Sequence, residues 1–438
     1  MTEIKADALK SFEDYNKMAQ EFSKKQPILY DRNNMFWLWN GFSWEMCDEI
    51  DLFNQLKQYF DKNFAHVSVR SQAINSLKDV GREAWDNLKE LPKTWLQFKD
   101  KFVDYKTGEE IPVSPEYFAV NPISWNLGDS EETPVLDKLF IDWVGAEHKK
   151  KLFQIFAYSL LPDYPIQRSF ILNGVGSNGK DTFLNVMRKF IGDKNCTASE
   201  LDTLLYSRFE SAKLYKKLVC TIGETNFAAL KKTNVLKSLT GRGSFGFEFK
   251  NKTPFSALNY AKIIIATNRL PLTFDKSDGF YRRILIIDFP NRFSEKRDVL
   301  SEIPDAEFEN LALKSIRILR ELIAEGGFDD EGSITERMKR YEERSNPIKT
   351  FIQEHCEDDE SFNMPFSLFY EQLNKNVKGR ALSRKHVSNA IKRLGFETEK
   401  KTVKKSGKVS SEIIIQGVRL KGSMDSIDSM QLSLSSSI

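Results

Sequence analysis

The sequence predicts an α/β protein built on buried strands that present a glycine loop, with an α+β N-terminal region before it and a C-terminal winged helix after it. Three observations predict this. Phe170, Ile171 and Leu172 form a short apolar run, Gly174, Gly176 and Gly179 then break the chain, and Thr182 to Phe190 has the apolar spacing of a helix. Two further buried-strand runs, Lys216–Glu224 and Ala261–Asn268, follow, each ending on a polar side chain. Near the C-terminus, three short helical stretches precede an alternating hairpin rich in lysine.

Composition narrows the class. The 438 residues suffice for two or three domains, and 40% hydrophobic residues with 33 phenylalanines indicate folded cores. No run of 18 apolar residues exists, so no membrane span is expected, and the N-terminus lacks the apolar core of a signal peptide. Cys47, Cys196, Cys220 and Cys356 are far apart with no CxxC spacing, which reads as reduced thiols in a soluble intracellular protein. The net charge of +3 says little; its distribution says more.

In chain order, residues 1–135 read as an α+β domain. A charged helix to about residue 25 precedes the aromatic patch Tyr30, Phe36, Trp37, Trp39, Phe42 and Trp44, where Asn40-Gly41 signals a hairpin. The patch reads foremost as the core of a small sheet, with a base-stacking surface as the alternative. Helices are expected over Ile50–Phe64 and Val67–Leu91, and a second hairpin turns at Lys106-Thr107-Gly108. Residues 136–165 read as a helical connector, with helices at Leu136–Trp143 and His148–Leu161. Residues 166–344 hold the glycine loop and its strands. Residues 345–421 form the predicted winged helix, and the Ser-rich stretch 422–438 is expected to be disordered.

Gly174-Val175-Gly176-Ser177-Asn178-Gly179-Lys180-Asp181-Thr182 has P-loop spacing in the strand–loop–helix setting that such a loop needs. Glycines let backbone N–H groups converge on phosphate oxygens, and the helix N-terminus adds partial positive charge. Lys180 supplies a full charge. The residue after the lysine, ordinarily Ser or Thr for Mg²⁺, is Asp181, so its carboxylate handles the metal directly or through water, or the Thr182 hydroxyl takes over, or metal binding is weakened.

Glu224 closes the second buried strand in a Walker B position, where a carboxylate polarises water or holds Mg²⁺; Gly223 stands where many ATPases have an aspartate. Asn268 closes the third strand and can hydrogen-bond an attacking water or a phosphate, or simply form the turn before Arg269-Leu-Pro271. A fourth strand is expected within Gly279–Phe289, with Arg282 and Arg283 at its start. In the last region, Arg384, Lys385, His386, Lys392 and Arg393 share the third helix. Lys400, Lys401, Lys404, Lys405 and Lys408 sit on the wing, an electrostatic footprint for DNA phosphates.

Together, Gly-Ser-Asn-Gly-Lys, the strand ending Gly-Glu-Thr-Asn, Lys237-Ser-Leu-Thr-Gly-Arg-Gly-Ser244, Ala-Thr-Asn-Arg-Leu-Pro and Tyr-Arg-Arg-Ile-Leu-Ile-Ile-Asp-Phe occur in one order. In this the chain resembles the superfamily 3 helicases, and among them the primase–helicases of phages, plasmids and poxviruses. The resemblance is strong over about 166–295 and weaker over 30–165. It implies an AAA+-like ATPase core, ATP and Mg²⁺ as cofactors, and a homo-oligomeric ring, expected to be a hexamer, that unwinds duplex DNA from a single strand in its pore. Lys180 would be the phosphate lysine, Glu224 the Walker B acid, Asn268 the sensor, and Arg282 the arginine finger, with Arg283 as the fallback. Ser244–Thr253 falls at the family's pore hairpin, where Lys250 and Lys252 would track the DNA backbone. No primase-like acidic pair stands in the N-terminal third, so a separate primase or polymerase would be the partner. The rival readings are an ATP-switched, DNA-binding initiator and a small-molecule kinase.

Overall fold

The structure, a computed structural model, describes residues 12–60, 67–174, 176–223, 230, 232–268, 270–293, 298–376, 382–405 and 408–421. The chain divides into two compact units. One comprises Met1–Glu224, Lys232–Ala266 and Arg282–Glu331; the other comprises Thr225–Lys231, Thr267–Tyr281 and Gly332–Ile438.

The centre of the first unit is a five-stranded sheet of β1 (Ser169–Asn173), β2 (Cys196–Ser199), β3 (Val219–Ile222), β4 (Lys262–Thr267) and β5 (Ile284–Asp288). Its spatial order is β5-β1-β4-β3-β2; β5 runs parallel to β1, β4 to β3, and β2 to β3. The central strands are near-continuous apolar runs because a parallel sheet is covered on both faces. Every residue of β4 is buried. This is an α/β architecture compatible with a nucleotide-binding core.

Around the sheet pack α1 (Pro134–Val144), α2 (Lys149–Ser159), α3 (Lys180–Ile191) and α4 (Asp305–Glu325). The α1 N-terminus is capped from a distance: the buried Glu307 carboxylate of α4 accepts from Val135 N (2.8 Å) and Leu136 N (3.0 Å). That satisfies two of the orphan amides of the helix end and opposes its dipole. The sheet is pinned to α2 by Lys262, fully buried at the start of β4. Its ammonium donates to the carbonyls of Leu161, Asp163 (2.8 Å) and Tyr260 (3.0 Å), and lies 4.8 Å and 5.3 Å from the ring centres of Tyr158 and Tyr164. All three of its N–H groups are thereby used.

The N-terminal region has the predicted α+β character. The antiparallel strands Ile28–Tyr30, Phe36–Trp39 and Trp44–Cys47 pack on the helices Phe12–Lys25, Glu49–Phe60 and Val67–Asp86, with the hairpin at Asn40-Gly41 as expected. The third helix stops at Asp86, short of the expected Leu91. A second small sheet, Trp95–Gln97, Lys101–Asp104 and Glu110–Pro112, carries the expected turn at 106–108.

In the second unit, helix Ile334–Ser345 opens on a capping box between Ser333 and Glu336. It buries Tyr341 against Phe280 and Tyr281, with the Tyr341 hydroxyl on Pro271 O at 2.7 Å. Here the structure corrects the sequence reading: Asp278–Tyr281 is a helical turn, not strand, and β5 begins only at Ile284. The reason is tertiary, since both Phe280 and Tyr281 are buried against Tyr341. The C-terminal part has helices Pro347–His355, Phe366–Asn376 and Arg384–Arg393, close to expectation. Its sheet has three strands rather than two, because Cys356–Pro365 pairs antiparallel with Lys408–Leu420, which also pairs with Thr398–Lys405. The hairpin tip and the Ser-rich stretch 422–438 lie outside the described residues.

Replacing Lys262 by Met would leave three buried carbonyls without a donor. Lys262→Met is expected to lower the unfolding free energy by about 2–5 kcal/mol, read from urea denaturation curves.

Candidate functional site: a glycine loop at the carboxyl edge of the sheet

β1 ends at Asn173, the loop follows, and α3 begins at Lys180. Val175 lies outside the described residues. Two of the three glycines are required by geometry. A Cβ on Gly174 would fall 2.0 Å from Asn178 Nδ2 and 2.4 Å from Phe289 O. Gly179 is left-handed (φ 88°), and a Cβ there would fall 2.5 Å from the Trp143 indole nitrogen. Gly176 has open space on that side.

Left-handed Ser177 (φ 60°) and Gly179 bracket Asn178, and the helical Lys180 follows. A left-handed residue followed by a right-handed one turns successive N–H groups to the same side, the backbone form of an anion nest. Asn178 is buried; its Nδ2 donates to Phe289 O (3.2 Å) and its Oδ1 accepts from Lys180 Nζ (2.9 Å). Lys180 Nζ also donates to Gly174 O (2.5 Å), so the ammonium is held across the mouth of its own loop. A second strut comes from beyond β5, where Phe293 N donates to Ser177 O at 2.7 Å. These features fit a nucleotide phosphate chain: converging amides, a twelve-residue helix starting at the loop and one ammonium.

For the metal, Asp181 is exposed and Thr182 half-buried in the first turn of α3. Glu224 lies outside the described residues; the strand it follows, β3, is one removed from β1. Among the described residues no group of three or more His, Cys, Asp or Glu side chains converges. A metal here would therefore draw the rest of its ligands from phosphate and water, as Mg²⁺ usually does. Asn268 directly follows β4, the neighbour of β1.

The two arginines part company. Arg282 is exposed and donates to Gln167 Oε1 at 3.2 Å. Arg283 is half-buried, and burial first, then the charges of Arg282 and Arg168, draws its pKa down. Arg168 itself is locked in a two-bonded pair with Glu331 (2.9 and 2.7 Å). Both arginines precede β5, which is in register with β1 from Ile284–Ser169 to Asp288–Asn173. They stand at the amino end of the sheet, about 17 Å from the loop at roughly 3.3 Å per residue over a five-residue strand. Neither can touch a phosphate held by the loop of its own chain.

The expected hairpin is present: Ser244–Phe247 and Phe255–Leu258 pair antiparallel. Phe247 and Phe249 pack with Phe255 against Tyr215, and Phe245 packs on Phe247. Lys250 and Lys252 are exposed in the intervening turn. In the C-terminal part, Arg384, Lys385, Lys392 and Arg393 are all exposed on one ten-residue helix whose other face buries Val387 and Ile391. Arg384 and Lys385, with Lys400, line a cleft of about 590 Å³ between that helix and the hairpin strands; Glu412 is its acidic member. Lys404 and Lys405 fall within strand Thr398–Lys405, but their side chains lie outside what is described.

Sequence reasoning missed Trp143, Phe289 and Asn178 as supports of the loop. Trp143 and Phe289 touch it only through tertiary packing and carry no local signal. Asn178 was legible, as a polar side chain inside the loop.

A family of unknown function, DUF5906, matches residues 172–283, the stretch from β1 to the arginine pair. Among solved structures, the fold is like that of the apo C-terminal region (305–718) of NrS-1, at 14% identity and a TM-score of 0.53, covering 92% of this chain and 99% of that one. The A-form apo structure of the same NrS-1 region gives 12% identity and a TM-score of 0.51, over 91% and 98%. The likeness thus takes in the flanking regions as well as the central sheet. No helix among the described residues is long and apolar enough to cross a membrane.

The glycine geometry predicts unequal tolerance. Gly174→Ala is expected to cost about 1–3 kcal/mol of stability and Gly176→Ala to stay within about 0.5 kcal/mol, measured by chemical denaturation of the two variants.

Proposed function

We propose that the chain is an ATP-driven DNA helicase that works as a ring of identical subunits, expected to be a hexamer, in the replication of a virus or plasmid. The observation that carries the reading is the Gly174–Lys180 loop between the first strand of a β5-β1-β4-β3-β2 sheet and a helix N-terminus. That setting supports a P-loop for ATP, with Lys180 on the phosphates. Asp181 or Thr182, with Glu224, would hold Mg²⁺, which neutralises phosphate charge as it develops. Asn268 would orient water as the sensor.

The arginine pair supports assembly. Being at the far end of its own sheet, it can serve only a neighbour's nucleotide, and exposed Arg282 suits that task better than the crowded Arg283. The hairpin supports contact with single-stranded DNA through Lys250 and Lys252. The helix–cleft–hairpin arrangement of the C-terminal part supports a winged helix that binds duplex through Arg384, Lys385, Lys392 and Arg393. A partner primase or polymerase would complete the replication machinery.

Two experiments test the reading. Lys180→Ala is expected to abolish ATP hydrolysis in a folded protein. Arg282→Ala is expected to lose about 10³–10⁵ in rate while still binding nucleotide. Mixing the two inactive variants should restore activity, because some interfaces then hold both intact groups. Mixtures inactive at every ratio would remove the shared site, and strand displacement on forked DNA separates a helicase from an ATP-switched initiator.

For the C-terminal part, Lys385→Ala with Lys392→Ala is expected to lower the slope of log affinity against log salt for duplex DNA by about 0.9 per lost contact. Single-strand-stimulated ATPase activity should persist. An unchanged slope would return these lysines to ordinary solvated surface.

A further inference from the structure

The sheet has a second chemically distinctive edge. At its amino end, opposite the glycine loop, Lys194 precedes β2, and Lys216 and Lys217 precede β3. Lys216 is left-handed (φ 58°), a conformation a lysine adopts only when its surroundings enforce it. The enforcement is visible. Asn121 Nδ2 donates to Lys216 O (2.9 Å) and to Asn195 Oδ1 (3.0 Å), while Asn121 Oδ1 accepts from Tyr260 OH (2.8 Å). The turn aims the Lys216 ammonium among three rings: 5.1 Å from the centre of Phe118, 5.7 Å from Tyr215 and 5.9 Å from Tyr260. Among the described residues its ammonium makes no hydrogen bond and no close ion pair; burial lowers its pKa, and the charge of the buried Asp31 carboxylate, at longer range, opposes that shift.

Two cavities meet at this lysine. One, of about 200 Å³, is lined by Trp95, Gln97, Phe118 and Tyr260; the other, of about 260 Å³, by Trp37, Trp44 and Tyr215. Val120 and Lys216 line both. Each is smaller than the roughly 300–1,000 Å³ of a typical cofactor pocket, which suits one planar ring system. In the first, Gln97 is 5% exposed; its Nε2 is engaged by Phe42 O, and its Oε1 has no hydrogen-bond partner. A buried acceptor without a donor is costly, and its neighbourhood is correspondingly short of one.

We propose that this edge is a two-base site for single-stranded DNA, with one base in each aromatic cavity and the intervening phosphate on Lys216. The pattern matches the strand: ring, anion, ring against aromatic wall, cation, aromatic wall. A half-buried ammonium gains more from a phosphate than a fully solvated lysine does. Tyr215 ties the site to the rest of the DNA path, since it also packs against Phe247, Phe249 and Phe255 of the hairpin. The aromatic patch of the N-terminal region is thereby both core and binding wall. The proposal stands whether or not the chain hydrolyses ATP.

The test is photo-crosslinking of the full chain, without nucleotide, to a short single-stranded DNA carrying 5-iododeoxyuridine, with the cross-linked peptides mapped by mass spectrometry. Cross-links are expected on peptides containing Trp95 or Phe118 and on those containing Trp37 or Trp44. Lys216→Met, which keeps the apolar stem, should reduce them about tenfold while the melting curve stays that of wild type. Ala119→Leu, which fills the first cavity, should remove the Trp95 and Phe118 cross-links selectively. Cross-links confined to other peptides of the wild-type chain overturn the proposal without recourse to any variant. Cavity cross-links that persist in folded Lys216→Met overturn the phosphate assignment. Free 5-iododeoxyuridine monophosphate labelling these peptides as well as the strand does would make the ligand a mononucleotide and overturn the strand.

Discussion

Trp143, Phe183 and Phe289 meet beneath the glycine loop, and the geometry of the loop depends on that meeting. Trp143 comes from α1, Phe183 from α3 and Phe289 from just beyond β5, with ring centres 6.1–6.4 Å apart. Phe140 and Phe156 extend the cluster into α1 and α2. Pairs of this kind contribute about 0.5–1.5 kcal/mol each beyond burial of their area. Their larger effect is positional. Trp143 occupies the space a side chain at 179 would need, and the Phe289 carbonyl occupies the space a side chain at 174 would need. The loop therefore folds tightly over a rigid aromatic floor, and its amides and Lys180 are set in place before any ligand arrives.

The same sheet separates two electrostatic tasks. At its carboxyl edge sit the loop, the dipole of α3 and Lys180. At its amino edge sit Arg282, Arg283, Lys194, Lys216 and Lys217. Arg168 is neutralised by Glu331, and Lys194 pairs with Glu45. Lys262 is satisfied by carbonyls and rings alone. Lys216 is lined by rings, with the Asp31 carboxylate acting on it only at longer range. A buried cation whose needs are met by backbone oxygen is a structural pin, whereas the half-buried Lys216 faces aromatic walls and open volume.

Most of the fold was legible where the chain carries long apolar runs. β1, β3, β4 and β5 read directly from Phe-Ile-Leu, Val-Cys-Thr-Ile, Ile-Ile-Ile-Ala and Ile-Leu-Ile-Ile. β2 did not, because Cys-Thr-Ala-Ser at the sheet edge buries only its cysteine and has no apolar run. Cys356–Pro365 was illegible for a different reason. Its Glu-Asp-Asp-Glu segment has poor strand propensity, and the pairing shifts register between Asp358 and Asn363. Of the candidate site, the loop glycines, Lys180 and the arginine pair could be read from spacing. The floor of the loop and the two cavities could not, since they join Trp37, Trp95, Phe118, Lys216 and Tyr260 across more than half the chain.

The hairpin shows how one short strand pair can pack tightly at its base and still present a charged tip. A strand alternates its faces, so Phe245, Phe247 and Phe249 fall on one side and Gly246 and Glu248 on the other. Phe247 is fully buried, and the stack of Phe249 on Phe255 carries order to the last residue before the turn. The turn itself contains a left-handed Asn251 (φ 61°) between Lys250 and Lys252, which an asparagine tolerates better than most residues. The lysines thus ride on a tip whose base cannot move without breaking the stack on Tyr215. Displacing the tip would load that tyrosine, and through it the adjoining Lys216 turn, so the chain has a direct covalent and packing route between the hairpin and the amino edge of the sheet.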